Sequence, residues 1–289
     1  MKNMKKRSTF LLTVLLVLAL VFTACGNGGA PATGSDDSGP DNPVIRLSTT
    51  TSVNDSGLLS FLQPEFEEDT GFSLEITSAG SGAAIEKGRT GDADCLLTHS
   101  PAAERAFVEE GFGEERAIFM YNFFVIVGPA DDPAGVMGCT DASEAFARIA
   151  ENPDSIFVSR GDDSGTHAAE LRIWGIADID PDGEDWYMSV GQGMGASLNI
   201  ASETGAYIFS DKATFLAHAQ RATMEILLER SDELQNVYSI IAISEERWDD
   251  TNREGADAFI AWMTSPKGQA MIDEYGVAEY GEQLFFTFD

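Results

Sequence analysis

The sequence predicts an α/β protein of two lobes, each a wound mixed sheet flanked by helices, and three observations predict it. From Val44 onward, short apolar runs alternate with stretches of helical periodicity, the pattern of a wound α/β lobe. Two long apolar strands, Met120–Val127 and Val237–Ile243, bracket a middle stretch that restarts the alternation. The 289 residues are 43% hydrophobic, which is core enough for two modest domains.

Taken in order, Val44–Leu47 is strand-like, and Leu58, Leu59, Leu62 and Phe66 recur at helical spacing up to a stop at Gly71. A strand at Phe72–Ile76, a short helix at Ala83–Lys87, a buried strand at Cys95–Thr98 and a helix at Ala102–Glu110 follow. Met120–Val127 closes on Gly128-Pro129, a turn pair. A helix at Asp141–Ala150, a strand at Ser155–Val158 and a helix from Ser164 come next. Beyond Val237–Ile243, a helix carries Ala256, Phe259, Ile260 and Met263 on one face. Two chain crossings would put residues 44–127 and 239–289 in the first lobe and 128–238 in the second.

The N-terminus is an address. Residues 1–24 have a basic start and an apolar run from Phe10 to Phe22 broken only by Thr13, too short to span a bilayer comfortably but suited to a signal peptide. Thr23-Ala24-Cys25 resembles a bacterial lipobox, which implies cleavage before Cys25 and lipidation of its thiol. An ordinary signal peptide cut near Ala24 is the alternative. The stretch from Gly26 to Pro43 is Gly-, Ser-, Asp- and Pro-rich and reads as a flexible tether. Residues 25–43 would then hold the body near a membrane through a lipid on Cys25. Cys95 and Cys139 have no spacing that argues for a disulfide, so free thiols are expected.

The formal charge is −30, from 48 acidic and 18 basic residues, and four of the basic ones lie in the first 24 positions. Such a body repels phosphate backbones and anionic lipid surfaces, so nucleic-acid binding is not expected. Only three lysines (Lys87, Lys212, Lys267) follow residue 24, against eleven arginines. That balance reads as adaptation to salt, because roughly 1 M salt shortens the Debye length to about 3 Å.

Three polar, glycine-containing clusters each sit where a strand ends and a helix begins. They are Ser48-Thr49-Thr50-Thr51-Ser52, Ala79-Gly80-Ser81-Gly82-Ala83, and the run from Ser159 through Arg160, Ser164, Gly165 and Thr166 to His167. Carboxyl ends of strands and helix N-termini present unpaired N–H groups, and hydroxyls add donors, so such places suit a small oxyanion. Helix capping is the bland account of each cluster alone. Arg160 makes it less comfortable, since a charge-assisted hydrogen bond contributes about 1.5–3 kcal/mol. A surface ion pair with Asp162 or Asp163 is the other role open to it.

These residues carry a family resemblance. TTTSVNDSGLL, the GSGAA loop, GDADCLLTHSPAAERAFVEEGFG, MYNFFVIVGPADDPAGV, FVSRGDDSGTH, WYMSVGQGMGASLNIA and ETGAYIFSD together resemble the tungstate-specific substrate-binding proteins of bacterial ABC importers, in order from about Leu47 to Ile243. The resemblance implies the two-lobed periplasmic-binding-protein type II fold. It implies tungstate as ligand, with molybdate or phosphate as alternatives, and an ABC permease with its cytoplasmic ATPase as partners. An extracytoplasmic, membrane-anchored monomer without a cofactor is expected. Position by position, it implies ligand contacts from Thr50, Thr51 and Ser52 in the first turn and from Ser81 in the second. Arg160, Ser164, Gly165 and Thr166 would face them from the other lobe. The spacing at 160–166 is also similar to phosphate-binding proteins, where the aspartate accepts a proton from phosphate. Tungstate offers no such proton at neutral pH, so Asp162 is expected to orient Arg160 or cap the helix.

Other classes fit less well. A hydrolase would need a G-x-S-x-G elbow, whereas Ser164 follows Asp163 and His167 lies three residues on. The pairs Asp131-Asp132, Asp162-Asp163 and Asp249-Asp250 match no calcium-loop spacing. Arg160-Gly161-Asp162 spells an adhesion triplet, but one at a strand-to-helix junction.

Overall fold

The computed structural model describes residues 40–218 and 223–288. The leader 1–24, Cys25 and most of the tether 25–43 lie outside the described residues.

The first strand, β1 (Val44–Thr50), pairs in parallel with β2 (Ser73–Ala79) on one side and β3 (Cys95–Thr98) on the other. Parallel strands need covered faces, and helices follow each of these three. They are α1 (Thr51–Asp55) with α2 (Leu58–Thr70), then α3 (Ser81–Thr90), then α4 (Pro101–Glu109). The helix α2 buries Leu58, Leu59, Leu62 and Phe66 and ends at Gly71 in the left-handed conformation, as its periodicity and stop signal predict. The strand β1 runs three residues past the apolar stretch because its hydroxyls find partners in the core. Ser48 Oγ donates to the Ala84 carbonyl at 3.0 Å, and Thr49 Oγ1 donates to the Leu97 carbonyl at 2.9 Å.

The two long strands join the halves of the molecule. In β4 (Ala117–Gly128), residues 117–123 pair antiparallel with β9 (Gln235–Ala242), which also borders β3. Residues 124–128 of β4 instead pair with β7 (Tyr207–Asp211) and β8 (Glu225–Glu229). Next to β7 lies β5 (Phe157–Ser159), and β6 (Tyr187–Ser189) closes that edge, both in parallel register. The strand order is therefore β2-β1-β3-β9-β4-β7-β5-β6.

Helices α5 (Ala142–Glu151), α6 (Gly165–Ile176), α7 (Met194–Thr204) and α8 (Lys212–Ala217) cover the second sheet region. In the first, α9 (Arg253–Met263), α10 (Pro266–Glu274) and α11 (Val277–Tyr280) complete the cover, and a short β10 (Phe286–Thr287) pairs with β4. Separate cores follow from this layout. One gathers Leu47, Phe66, Phe119 and Phe259. Another stacks Phe146, Phe157, Trp174 and Phe209 in edge and tilted contacts about the second region.

Where β4 and β9 pass from one region to the other, a buried polar network crosses them. Asn122 and Asn236 are register partners, and Asn236 Nδ2 donates to Asn122 Oδ1 at 2.9 Å. Asn122 Nδ2 and the Tyr238 hydroxyl both donate to Asp211 Oδ2, at 2.5 and 3.1 Å, while the Thr214 amide donates to its Oδ1 at 3.1 Å. A buried carboxylate is tolerable only when its lone pairs are met in this way.

Cys95 and Cys139 are both buried and free, as expected. Burial pushes both thiols up, which holds them protonated and inert. Among the described residues, no helix is long and apolar enough to cross a membrane.

Candidate functional site

The three clusters read from the sequence come together where the two sheet regions face each other. Arg160, just past β5, is 1% exposed. Its Nη2 donates to Asp162 Oδ2 at 2.6 Å and reaches Thr51 Oγ1 at 3.4 Å, while Nη1 reaches Thr166 Oγ1 at 3.4 Å. The pair with Asp162 is real but buried, so the surface ion pair weighed above does not describe it. Asp162 does both things expected of it, since its Oδ1 also accepts from the Ser164 amide at 3.3 Å. Its carboxylate thus aims the guanidinium and ties down the start of α6. Asp163 turns away, its side chain fully exposed and its backbone at φ 54°.

Gly161 makes this turn possible. It sits at φ 58°, where L side chains are strained, and a Cβ there would run into the Ser189 hydroxyl. Across the gap, Ser81 Oγ, 2% exposed as a residue, accepts from the Gly165 amide at 2.7 Å. Ser164 is the N-cap of α6, its Oγ accepting from the His167 amide at 3.2 Å. The His167 ring accepts at Nδ1 from the Asp163 amide at 3.2 Å. Ser164 and His167 are thus occupied in capping a helix, and the hydrolase arrangement is not formed.

A cavity of about 330 Å³ opens between Thr51, Gly80, Gly82 and Ala83 of the first region and Arg160, Asp162, Asp163 and Gly191–Gly193 of the second. Among the described residues, Arg160 is the one cation lining it. Arg160 Nε and Thr50 Oγ1 are buried and have no hydrogen-bond partner among the described residues. Unpaired buried donors cost about 1–3 kcal/mol each. Of the remaining expected contacts, Ser81 and Gly165 line an adjoining cavity of about 510 Å³, together with His99 and Asn236. Ser52, Ser164 and Thr166 are buried beside these cavities without lining either. A groove of about 540 Å³ along Arg105, Glu109, Glu114, Glu115 and Arg116 is as large, but its carboxylates make it a poor place for an anion.

The structure gives His99 a partner. Its Nδ1 lies 3.0 Å from Asn236 Oδ1, an acceptor, so the ring nitrogen facing it carries the proton. Burial, with Arg160 adding its charge, holds this imidazole below the ordinary histidine value, while Asp211 and Glu104 pull the other way. The loop Gly191–Gly193 was unassigned. Its signals are the spacing of three glycines (191, 193, 195) at the start of α7 and its place in the stretch WYMSVGQGMGASLNIA.

The carboxyl of Glu170, on α6 behind the cavity, is 1% exposed as a residue. Its Oε1 accepts from the Tyr187 hydroxyl at 2.7 Å and from Trp174 Nε1 at 3.3 Å. Burial pushes it up to about 7 against the pull of these donors. Among the described residues no cluster of three or more His, Cys, Asp or Glu is placed to hold a metal ion.

Two facing α/β regions joined by a pair of strands, with hydroxyls, amides and one guanidinium at the joint, define a class of solute-binding protein. The family model for a PBP superfamily domain matches residues 29–267, and the chain belongs to that superfamily, with the type II fold expected from the sequence. It is 41% identical over 282 residues to the tungstate-binding protein TupA of Peptoclostridium acidaminophilum, covering 97% of this chain and 98% of that one. A putative ABC transporter anion-binding protein of Haloferax volcanii is 43% identical over 269 residues, 91% of this chain and 76% of its own. The solved structure of the tungstate-binding protein TupA from Desulfovibrio alaskensis G20 superposes with a TM-score of 0.74 at 41% identity, over 85% of this chain and 99% of that one. These relatives are named as binding proteins, one of them of an ABC transporter, and the chain is a substrate-binding protein of this family rather than an enzyme.

Proposed function

We propose that the protein captures tungstate in the cavity beside Arg160 and delivers it to an ABC importer. The observation that carries this reading is the buried Arg160, fixed by Asp162 at the cavity wall and reaching Thr51 across it. The names of the relatives supply the particular anion. Thr50, Thr51, Ser52 and Ser81 belong to the receiving side, and Arg160, Ser164, Gly165 and Thr166 to the closing side.

The two lobes, expected at 44–127 with 239–289 and at 128–238, hinge within β4 and at the start of β9, where the pairing changes sheet region after Phe123 and before Gln235. Closure brings Arg160 to an anion already resting on the hydroxyl loops, and water leaves. The closed form then docks on a permease driven by a cytoplasmic ATPase. In this reading the body is an extracytoplasmic monomer adapted to salt, held to the membrane by a lipid on Cys25 through the 25–43 tether.

Phosphate is the less favoured ligand for a specific reason. A protonated phosphate needs an acceptor, and both Asp162 oxygens already accept, from Arg160 Nη2 and the Ser164 amide. Molybdate has the same charge and nearly the same size as tungstate, and only the relatives' names favour one over the other. Isothermal titration with tungstate, molybdate, sulfate and phosphate in molar salt tests the reading. Heat from the first two alone is expected. No heat from any of the four would end it.

A further inference from the structure

We infer that Thr214 is a positioning residue for the anion turn. Its buried hydroxyl holds the Ser52 carbonyl, and with it the Thr51–Ser52 end of α1, from the opposite sheet region. The inference rests on the oxyanion reading above, which makes that turn the receiving side. It adds a residue that neither the sequence motifs nor the relatives' names assign.

The turn cannot hold itself. Helix α1 has five residues and no side chain caps its start, and isolated helices shorter than about 12–15 residues are marginal in water. Inside it, the Ser56 amide donates to the Ser52 carbonyl at 3.1 Å, and Ser56 Oγ donates to the Val53 carbonyl at 2.7 Å. Two more hydrogen bonds reach it from far along the chain. Thr214 Oγ1 donates to the Ser52 carbonyl at 3.3 Å, across 162 residues. At the other end, the Tyr275 hydroxyl donates to the Ser56 carbonyl at 2.5 Å. One hydroxyl thus holds the end that faces the anion, and the other holds the end that does not.

Thr214 offers its hydroxyl from a fixed frame. It lies on α8, which packs against α1. Asp211 caps α8, its Oδ1 accepting from the Thr214 amide at 3.1 Å and lying 3.3 Å from Thr214 Oγ1. The other carboxylate oxygen is held by Asn122 Nδ2 and the Tyr238 hydroxyl, on the two long strands. Lys212, in the first turn of α8, donates to Glu229 Oε2 at 2.5 Å and to Glu282 Oε2 at 2.6 Å. A helix dipole opposes a cation at that position, and two carboxylates outweigh it. Ala213 then packs in the core of the first region and Phe215 in a core of the second. Held on every side, α8 cannot follow α1 if the turn shifts.

What the hydroxyl fixes is a spacing that binding uses. Thr51 Oγ1, on the same turn, lies 3.4 Å from Arg160 Nη2, and both residues line the cavity. Hydrogen bonds weaken steeply as their geometry worsens, so a turn free to shift would meet both the anion and the guanidinium less well. Packing alone does not call for a hydroxyl here. Thr214 is 4% exposed, valine has the same shape, and burying an alcohol costs stability unless it is bonded.

Three variants of the full chain test this. Thr214→Val keeps the shape and deletes the hydroxyl, and Thr214→Ser keeps the hydroxyl and deletes a methyl. Tyr275→Phe deletes the hydroxyl at the far end of α1 and measures what a merely structural loss does. Each is titrated with sodium tungstate in molar salt, with thermal unfolding of the ligand-free protein alongside. The valine variant is expected to bind about three- to tenfold more weakly than the parent. The serine and phenylalanine variants are expected within about twofold of it, the phenylalanine one with a lower melting temperature. The Ser56 amide proton resonance, which reports on the Ser52 carbonyl, should move in the valine variant and return in the serine one. A valine variant within twofold of the parent overturns the inference. So does a serine or phenylalanine variant as weak as the valine one. Should the valine variant not fold, Thr214→Ala replaces it under the same expectations, and a serine variant more than about threefold weaker overturns the inference by itself. Parent protein that binds no tungstate refutes the proposed function, whereas parent binding that the valine variant matches overturns the role of Thr214 alone.

Discussion

Replacing Arg160 by alanine should weaken tungstate binding roughly 10- to 150-fold. The figure follows from the loss of one charge-assisted hydrogen bond, about 1.5–3 kcal/mol, at about 1.4 kcal/mol per decade of affinity. It is a lower bound if the anion meets more than one of the guanidinium nitrogens. Some of the lost interactions are internal. Alanine leaves Asp162 Oδ2 without its 2.6 Å donor and Thr166 Oγ1 without its 3.4 Å one. Asp162 has 17% of its side chain exposed, so water can replace that donor, and the fold should survive. Arg160→Lys separates charge from shape, because lysine keeps the charge but cannot span Thr51, Asp162 and Thr166 at once. The assay is calorimetric titration in about 1 M salt, where the Debye length of about 3 Å silences distant carboxylates and leaves the local contacts. Thermal unfolding of each variant without ligand confirms the fold. An alanine variant within threefold of the parent, with its melting temperature preserved, would refute the assignment of Arg160 as the main anion donor.

Three further outcomes follow from the same geometry. Gly161→Ala forces an L side chain to φ 58° against Ser189, which should lower stability by about 1–3 kcal/mol as read by denaturant titration; an unchanged midpoint would show that the turn relaxes. Glu170, raised from an ordinary 4.5 to about 7, binds its proton more tightly folded than unfolded, so its share of stability is lost as pH rises between those values. Glu170→Gln should therefore gain over the parent from pH 5 to pH 8, by up to about 3 kcal/mol, and parallel melting curves across that range would contradict it. Finally, the association rate for tungstate should rise between about 0.1 and 1 M salt, because salt screens repulsion between a dianion and a host of charge −30; a falling rate in stopped flow would show that a local positive field steers the approach instead.

Much of the fold was legible because short apolar runs and clear stops leave few choices. Cys95–Thr98 reads as a buried strand and is one residue for residue, all four positions buried. What was missed depends on partners remote in sequence. Helix α3 runs from Ser81 to Thr90, well beyond the expected 83–87, although Gly82 and Gly88 lower its propensity. Gly88 is there for packing, since a Cβ would lie 2.8 Å from both Ile243 and Phe107. Strand β6 has three residues, half-buried or exposed, and α7 mixes small and polar residues around Leu198; neither offers a periodicity to read. The site was legible by its hydroxyls and arginine, but not by its division of labour. Ser48 and Thr49 look identical to Thr50 in sequence, yet the first two spend their hydroxyls on the Ala84 and Leu97 carbonyls while Thr50 Oγ1 has no partner.

The same division explains how so acidic a chain can hold an anion. A host this negative opposes the guest at long range, and that term decays within about 8–10 Å at moderate salt. At the cavity the balance is set by what lies within hydrogen-bond reach, and there the nearest carboxylate, Asp162, is already neutralised by Arg160 at 2.6 Å. The other acid on the wall, Asp163, has a fully exposed side chain, so water screens its charge. Beside Arg160, what lines the cavity is backbone, the Thr51 hydroxyl and the Gln192 amide, whose donors carry no formal charge. Acid can accumulate over the rest of the surface without changing the site, provided that the Arg160–Asp162 pair and the three loops beside it stay as they are. Removing Asp162 while keeping Arg160 would free the guanidinium but also let it swing, which is why the pair, rather than the arginine alone, is the unit on which binding depends.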